Sequence, residues 1–232
     1  MIVMKLKDIL KNGTSIKSSG TTGPVKEVKQ TPEKIKKANK IARDVQKITS
    51  NSKIYTVCKL DHAGGLLAQT LPAVEIDADV YIEQFNPYHW VQKITNFTHT
   101  HLTPGMALAV SKTKGWKDLN LENIIVTCGS DKVPAECIND FVSKGATFIA
   151  NWGMSEVGPI AINKTFTPSS DRAYDLPSHT IMGDTSFVET KIINRELYVK
   201  SGICVFDDWF ATGDIVKQIN KEFWYYGRKQ WR

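Results

Sequence analysis

Residues 123–159 read NIIVTCGSDKVPAECINDFVSKGATFIANWGMSEVGP. NIIVTCGS is a short β-branched run closed by Gly129-Ser130, which reads as a buried strand. VPAECINDFVSKG follows with Pro134 just inside and Gly145 just past a helix. GATFIANW is a second apolar run, and it ends in the polar turn Gly153-Met154-Ser155-Glu156. Strand, helix, strand in this order is the repeating unit of a parallel layer, and polar residues at a strand's carboxyl end stand where such layers bind ligands.

The same alternation extends upstream. KIYTVCKL (53–60) and ADVYIEQF (78–85) read as further buried strands, with helix-like GLLAQTLPAV (65–74) and PYHWVQKITNF (87–97) around them. Before these, Thr31 as N-cap, Pro32 at the first helical position and Ile35, Ala38, Ile41, Val45 and Ile48 at helical spacing predict a helix over about 32–48. From about residue 165 the period becomes two. SFVETKIINRELYVKSG (186–202) and DDWFATGDIVKQINKEFWYYGRK (207–229) read as hairpins turning at 193–196 and 218–221. The fold class expected is therefore α/β: a mostly parallel sheet layered with helices over 1–164, then a small antiparallel β, barrel-like unit over 165–232.

Composition sets broad limits. The 232 residues are 41% hydrophobic and 23% charged, ordinary for a folded globular chain. No apolar run approaches the roughly 18 residues a membrane helix needs, and the N-terminus lacks a signal-peptide pattern, so a cytoplasmic location is expected. Cys58, Cys128, Cys137 and Cys204 are far apart without a CxxC pair, which favours reduced thiols over disulfides. Charge is uneven: residues 1–60 carry 14 Lys+Arg against 4 Asp+Glu, and the remainder 16 against 20. The basic end has few arginines and no interleaved aromatics, which speaks against nucleic acid. A solvated lysine-rich helix face, with some attraction for a small polyphosphate, accounts for it better.

Within that basic end, residues 18–26 read SSGTTGPVK. Gly20 and Gly23 let the backbone turn with its N–H groups exposed. Ser18, Ser19, Thr21 and Thr22 add hydroxyl donors, and Lys26 adds a positive charge, so the loop is chemically suited to phosphate oxygens. Pro24 and Val25 stand where a Walker A loop requires glycine directly before lysine. A plain Ser/Gly surface loop is the alternative reading of this stretch alone.

Taken in order, several segments resemble the adenylate-forming (AMP-binding) superfamily of acyl- and aryl-CoA synthetases, peptide-synthetase adenylation domains and luciferases. SSGTTGPVK resembles its phosphate loop, and Asp61-His62-Ala63-Gly64-Gly65-Leu66 its His-x-Gly-Gly-Leu segment. Leu102-Thr103-Pro104 stands where a Val-Pro-Thr type segment precedes a helix, and IVTCGSDKVP (125–134) resembles the strand and turn walling the acyl pocket. Asn151 to Glu156 is similar to Tyr-Gly-x-Thr-Glu, Arg195 to Gly202 to the Gly-Glu-Leu strand, Trp209 to Asp214 to Trp-x-x-Thr-Gly-Asp, and Tyr226 to Lys229 to the Gly-Arg before the interdomain hinge.

The resemblance implies ATP-dependent activation of a carboxylic acid to an acyl-adenylate, with 1–164 as the AMP-binding core and 165–232 as a β subdomain ending at the hinge. It assigns Ser18, Ser19, Gly20, Thr21, Thr22, Gly23 and Lys26 to the β- and γ-phosphates, and Glu156 to Mg²⁺. Ser155 would donate to the α-phosphate, and Lys26, Ser155 and Glu156 would form the catalytic set. Asn151, Trp152, Gly153 and Met154 would bind ATP or AMP, with Trp152 stacking on adenine. Asp214 would accept the ribose hydroxyls with help from Arg228, and Gly129 and Ser130 would border adenine and the acyl group. His62, Gly64, Gly129 and Gly153 would line the acyl pocket, although a structural role suits His62 almost as well. His99 and His101, on one face of a strand, could also hold a metal.

The family pattern extends beyond both ends of this sequence, and no lysine here matches the catalytic lysine of its C-terminal domain. ATP and Mg²⁺ are thus the implied cofactors, with CoA less directly supported. A homodimer or a partner covering the uncovered flank is expected, and a non-catalytic module that binds ATP, AMP or an acyl-adenylate is the alternative to an enzyme.

Overall fold

The computed structural model describes residues 2–17, 27–176 and 179–229. Helix α1 (Ile2–Asn12) leads into a hairpin of β1 (Thr14–Lys17) and β2 (Glu27–Gln30), paired from Thr14↔Gln30 to Lys17↔Glu27. Helix α2 (Pro32–Gln46) starts where expected: Thr31 Oγ1 accepts from Lys34 N at 3.4 Å, and Pro32 occupies the first turn, where no N–H is needed. It ends at Lys47, whose φ of 57° is left-handed.

Strand β3 (Lys53–Thr56) then opens the main sheet. Residues 63–74 form one helical segment, α3 (Ala63–Gly65) and α4 (Leu71–Val74), joined through a wider π-type turn at Leu66–Thr70. There follow β4 (Asp79–Ile82), α5 (Pro87–Lys93), β5 (His99–Leu102), α6 (Pro104–Ser111), β6 (Ile125–Cys128), α7 (Ala135–Ser143), β7 (Thr147–Met154) and β8 (Gly158–Phe166). The last third holds β9 (Thr180–Gly183), β10 (Thr185–Ser186), β11 (Glu189–Ile193), β12 (Glu196–Lys200), β13 (Phe210–Ile219) and β14 (Glu222–Arg228).

The main sheet has the order β10-β8-β7-β6-β5-β3-β4; β4, β3, β5, β6 and β7 run parallel, β8 is antiparallel to β7, and β10 is antiparallel to β8. Its central strands are buried. β5 is buried at all four positions, including His99, Thr100 and His101. β4 differs from the expected buried strand: among the described residues it is the edge strand of the sheet, with Asp79 and Tyr81 exposed. The largest core joins this sheet to α5, α6 and α7, with Trp90, Phe141 and Phe148 at its centre.

The second sheet is antiparallel, in the order β11-β12-β13-β14-β9. Both predicted turns are present. Asn194-Arg195 (φ 49° and 68°) and Asn220-Lys221 (φ 50° and 74°) have two left-handed residues each, the type I′ geometry that matches strand twist. All four cysteines are free, and Cys58, Cys128 and Cys204 are buried. No helix among the described residues is long and apolar enough to cross a membrane.

Candidate active site

Because β3, β5, β6 and β7 are parallel, their carboxyl ends share one edge of the sheet. The predicted residues collect there. Gly129 and Ser130 follow β6, Asn151 to Met154 end β7, and Ser155 and Glu156 form the turn into β8. Close approach explains the glycines: a methyl group at Gly129 would lie 2.4 Å from the carbonyl oxygen of Asn151, and one at Gly153 would lie 2.4 Å from that of Gly158. Between Trp152 and Met154 the β7–β8 register shifts, a bulge at Gly153 of the kind that re-aims side chains beside sites.

Trp152 reaches the second sheet, where its Nε1 donates to Asp214 Oδ2 at 2.9 Å. Asp214 pairs across β13 and β14 with Arg228, whose guanidinium lies 3.2 Å from Oδ1 and donates to the carbonyl of Thr212 at 2.5 Å. Asp214 is only 4% exposed. Burial pushes its carboxyl above the usual range, while Arg228 and the Trp152 hydrogen bond pull it back and the charge of Glu156 adds to the rise. The neighbouring Tyr225 hydroxyl is pushed up to about 12, by burial first and then by Asp214. The structure thus brings Trp152, Asp214, Arg228 and Glu156 into one electrostatic neighbourhood.

On the other side, Gly64 faces Ser130. A methyl group at Gly64 would lie 3.0 Å from His101 Cε1 and 3.1 Å from Ser130 Oγ. His62 is not drawn in: its side chain is 49% exposed, and Nε2 stands 3.7 Å from Asp61 Oδ1. His99 is a core residue, with Nδ1 2.7 Å from Thr98 Oγ1 and Nε2 2.8 Å from the carbonyl of Gln46. Among the described residues no group of three or more His, Cys, Asp or Glu is arranged for a metal. Ser18, Ser19, Gly20, Thr21, Thr22, Gly23 and Lys26 lie outside the described residues.

Three participants escaped the sequence reading. Gln30, buried at the end of β2, donates Nε2 to the carbonyl of Ser155 at 2.6 Å and so ties the β1–β2 hairpin to the β7–β8 turn. The alternation of EVKQ, with Val28 and Gln30 inward, was its only signal. Glu196, also buried, accepts from Gly213 N at 3.2 Å and Lys229 Nζ at 2.7 Å, holding the backbone beside Asp214. His101 was weighed only as a metal ligand, yet it stands beside Gly64.

The two-sheet α/β body gathers these residues at one edge of the parallel sheet, and residues 16–203 match the AMP-binding enzyme family; the chain belongs to it. A curated relative, indoleacetate–CoA ligase of Aromatoleum aromaticum, is 26% identical over 212 residues, covering 81% of this chain and 42% of the relative. O-succinylbenzoate coenzyme A synthetase of Bacillus subtilis, solved with ATP and magnesium ion, superposes with a TM-score of 0.77 at 21% identity over 92% of this chain and 49% of that one. ATP-bound MatB of Rhodopseudomonas palustris gives 0.75 at 16% identity over 94% and 48%. The chain spans about half the length of the relatives it matches.

Proposed function

We propose that this chain is the ATP-handling portion of an AMP-forming acid–CoA ligase, converting a carboxylic acid to its acyl-adenylate. The observation that carries the reading is the Trp152–Asp214–Arg228 group at the strand ends, in a chain of the AMP-binding family. The residues present suit ATP. Asn151 Oδ1 is buried without a partner and offers an acceptor to the exocyclic amine of adenine. Gly129 and Gly153 keep the strand ends free of side chains, Trp152 presents a ring face, and Asp214 supplies carboxylate oxygens for ribose hydroxyls.

Ser18 to Lys26 hold the terminal phosphates in this reading, and Ser155 donates its hydroxyl to the α-phosphate as the acid's oxygen attacks. Glu156 offers hard oxygen ligands to Mg²⁺, which when bound neutralises phosphate charge. Gly64, Gly129, Ser130 and Gly153 border the acyl group in this reading, while His62, exposed beside Asp61, would have to turn inward to join them. The acid is taken to be an aryl or related carboxylic acid, consistent with the indoleacetate ligase relative, and CoA is the acceptor, its thiol attacking the acyl carbonyl as AMP leaves.

Residues 1–164 are read as the core and 165–232 as a β subdomain leading to a hinge after Gly227-Arg228. The separate β11-β12-β13-β14-β9 sheet supports that division, and β10 stitches it back to β8. The exposed edge β4 is the flank a second copy or partner would cover, and a cytoplasmic location fits these substrates. ATP/pyrophosphate exchange over a panel of aryl and acyl acids tests the reading. Exchange with at least one acid is expected; ATP binding without exchange for any acid would leave a non-catalytic nucleotide module instead.

A further inference from the structure

Ser155 and Glu156 join β7 to β8, and the turn they make is held from outside by groups far away in the sequence. The carbonyl of Met154 accepts from Val157 N at 3.2 Å within the turn, that of Ser155 from Gln30 Nε2 at 2.6 Å, and that of Glu156 from Val205 N at 2.8 Å. Gln30 ends β2, and Val205 lies in the loop between β12 and β13.

A second side chain closes the circuit. Lys34, in the first turn of α2, donates Nζ to the carbonyl of Cys204 at 2.5 Å and stands 3.8 Å from Asp207 Oδ1. Cys204 immediately precedes Val205, so Lys34 steadies the loop that holds Glu156. Gln30 and Lys34 belong to one rigid unit, because Thr31 between them caps α2 by accepting from Lys34 N. The start of α2 therefore grips the turn at Ser155 directly and at Glu156 through the β12–β13 loop.

Gln30 is only 3% exposed. Burying a long amide costs side-chain entropy and desolvation, which an apolar residue at this inward position of β2 would avoid. Its donor goes to the one peptide that joins Ser155 to Glu156. The plane of that peptide sets ψ of Ser155 and φ of Glu156, and so sets where the hydroxyl and the carboxylate point. Once the bond is removed, the plane is free to rotate and to redirect both. We propose that Gln30 is a positioning residue of the adenylation site, holding the Ser155–Glu156 peptide so that the Ser155 hydroxyl and the Glu156 carboxylate face the phosphates and their magnesium ion. This rests on the adenylation reading and adds a residue that acts through the backbone of the turn.

Calorimetry on the whole chain measures ATP affinity with magnesium and with EDTA, and the ratio of the two is the gain that Glu156 supports. Gln30→Met keeps the length of the side chain and removes its donor. It should cut that gain about tenfold, the size of one strong hydrogen bond, while affinity in EDTA stays within about twofold. Gln30→Glu, which turns the donor into an acceptor facing the same carbonyl, serves if the first variant does not fold. In a chain carrying Glu156→Gln, Gln30→Met should cause no further loss, since both act through one contact.

Equal losses with magnesium and with EDTA would make Gln30 a plain structural contact and overturn the inference. An unchanged ratio, a further loss beside Glu156→Gln, or no magnesium gain in the unaltered chain would each overturn it as well. Any of these results with ATP still bound by the unaltered chain sinks the role of Gln30 alone, while no ATP binding removes the adenylation reading and this inference with it.

Discussion

Trp152 and Asp214 come from different sheets and are joined by one hydrogen bond, indole Nε1 to carboxylate Oδ2 at 2.9 Å. The pair fixes the indole ring against the middle of β13 and holds one oxygen of a carboxylate whose pKa burial raises. Trp152→Phe keeps an aromatic face and removes only the N–H. We expect about tenfold weaker ATP binding by calorimetry and about 1 kcal/mol lower stability in urea. Unchanged affinity would mean that Trp152 acts only through its ring face.

Asp214→Asn tests the other partner. It removes the charge opposite Arg228 and replaces one of two acceptor oxygens with a donor, while keeping the shape of the side chain. ATP affinity should fall at least about tenfold while the circular dichroism spectrum is retained. Loss of the fold with this substitution would mark Asp214 as a structural turn residue instead.

Much of this arrangement was legible in the sequence because it is local. The start of the Pro32–Gln46 helix is fixed by Thr31 and Pro32, and the two hairpins by period-two runs with Asn at the turns. The strand-end positions of Gly129, Asn151 and Ser155 follow from a strand–helix–strand pattern whose geometry is repetitive. What was not legible depends on distant pairing. The exposure of β4 reflects its edge place in the sheet order, which KIYT and DVYI alone do not state. Gln30 meets Ser155 across 125 residues, and His101 Nδ1 lies 3.5 Å from the sulfur of Cys58, 43 residues away. No local pattern records such contacts.

The turn at Asn220-Lys221 carries a lysine at φ 74°, where a Cβ is strained. Lys221→Gly creates the Asn-Gly pair that type I′ turns favour, and the entropy it adds to the unfolded chain offsets part of the gain. A stabilisation of about 0.5 kcal/mol is expected as a rise in the urea midpoint. The matching change Arg195→Gly should gain less, because Arg195 also packs over the Tyr226 ring at 5.1 Å from its centroid.

Stability should fall as pH drops from about 6.5 towards about 4, because His101 resists protonation when folded. Its pKa is about 4 in the fold and 6.5 in the unfolded chain, so between these values the unfolded state binds the extra proton and gains. His99, also lowered by burial, adds in the same direction. Asp214 acts oppositely: its carboxyl is raised, so its contribution is lost as pH rises through its folded pKa, starting from 3.8. The two effects oppose one another from 3.8 upward, so the share of His101 is isolated by substitution. Urea unfolding at pH 7 and pH 5 should differ by about 2 kcal/mol from His101 alone. His101→Asn should flatten that slope and leave the shares of His99 and Asp214; an unchanged slope would show that His101 is not held neutral in the core.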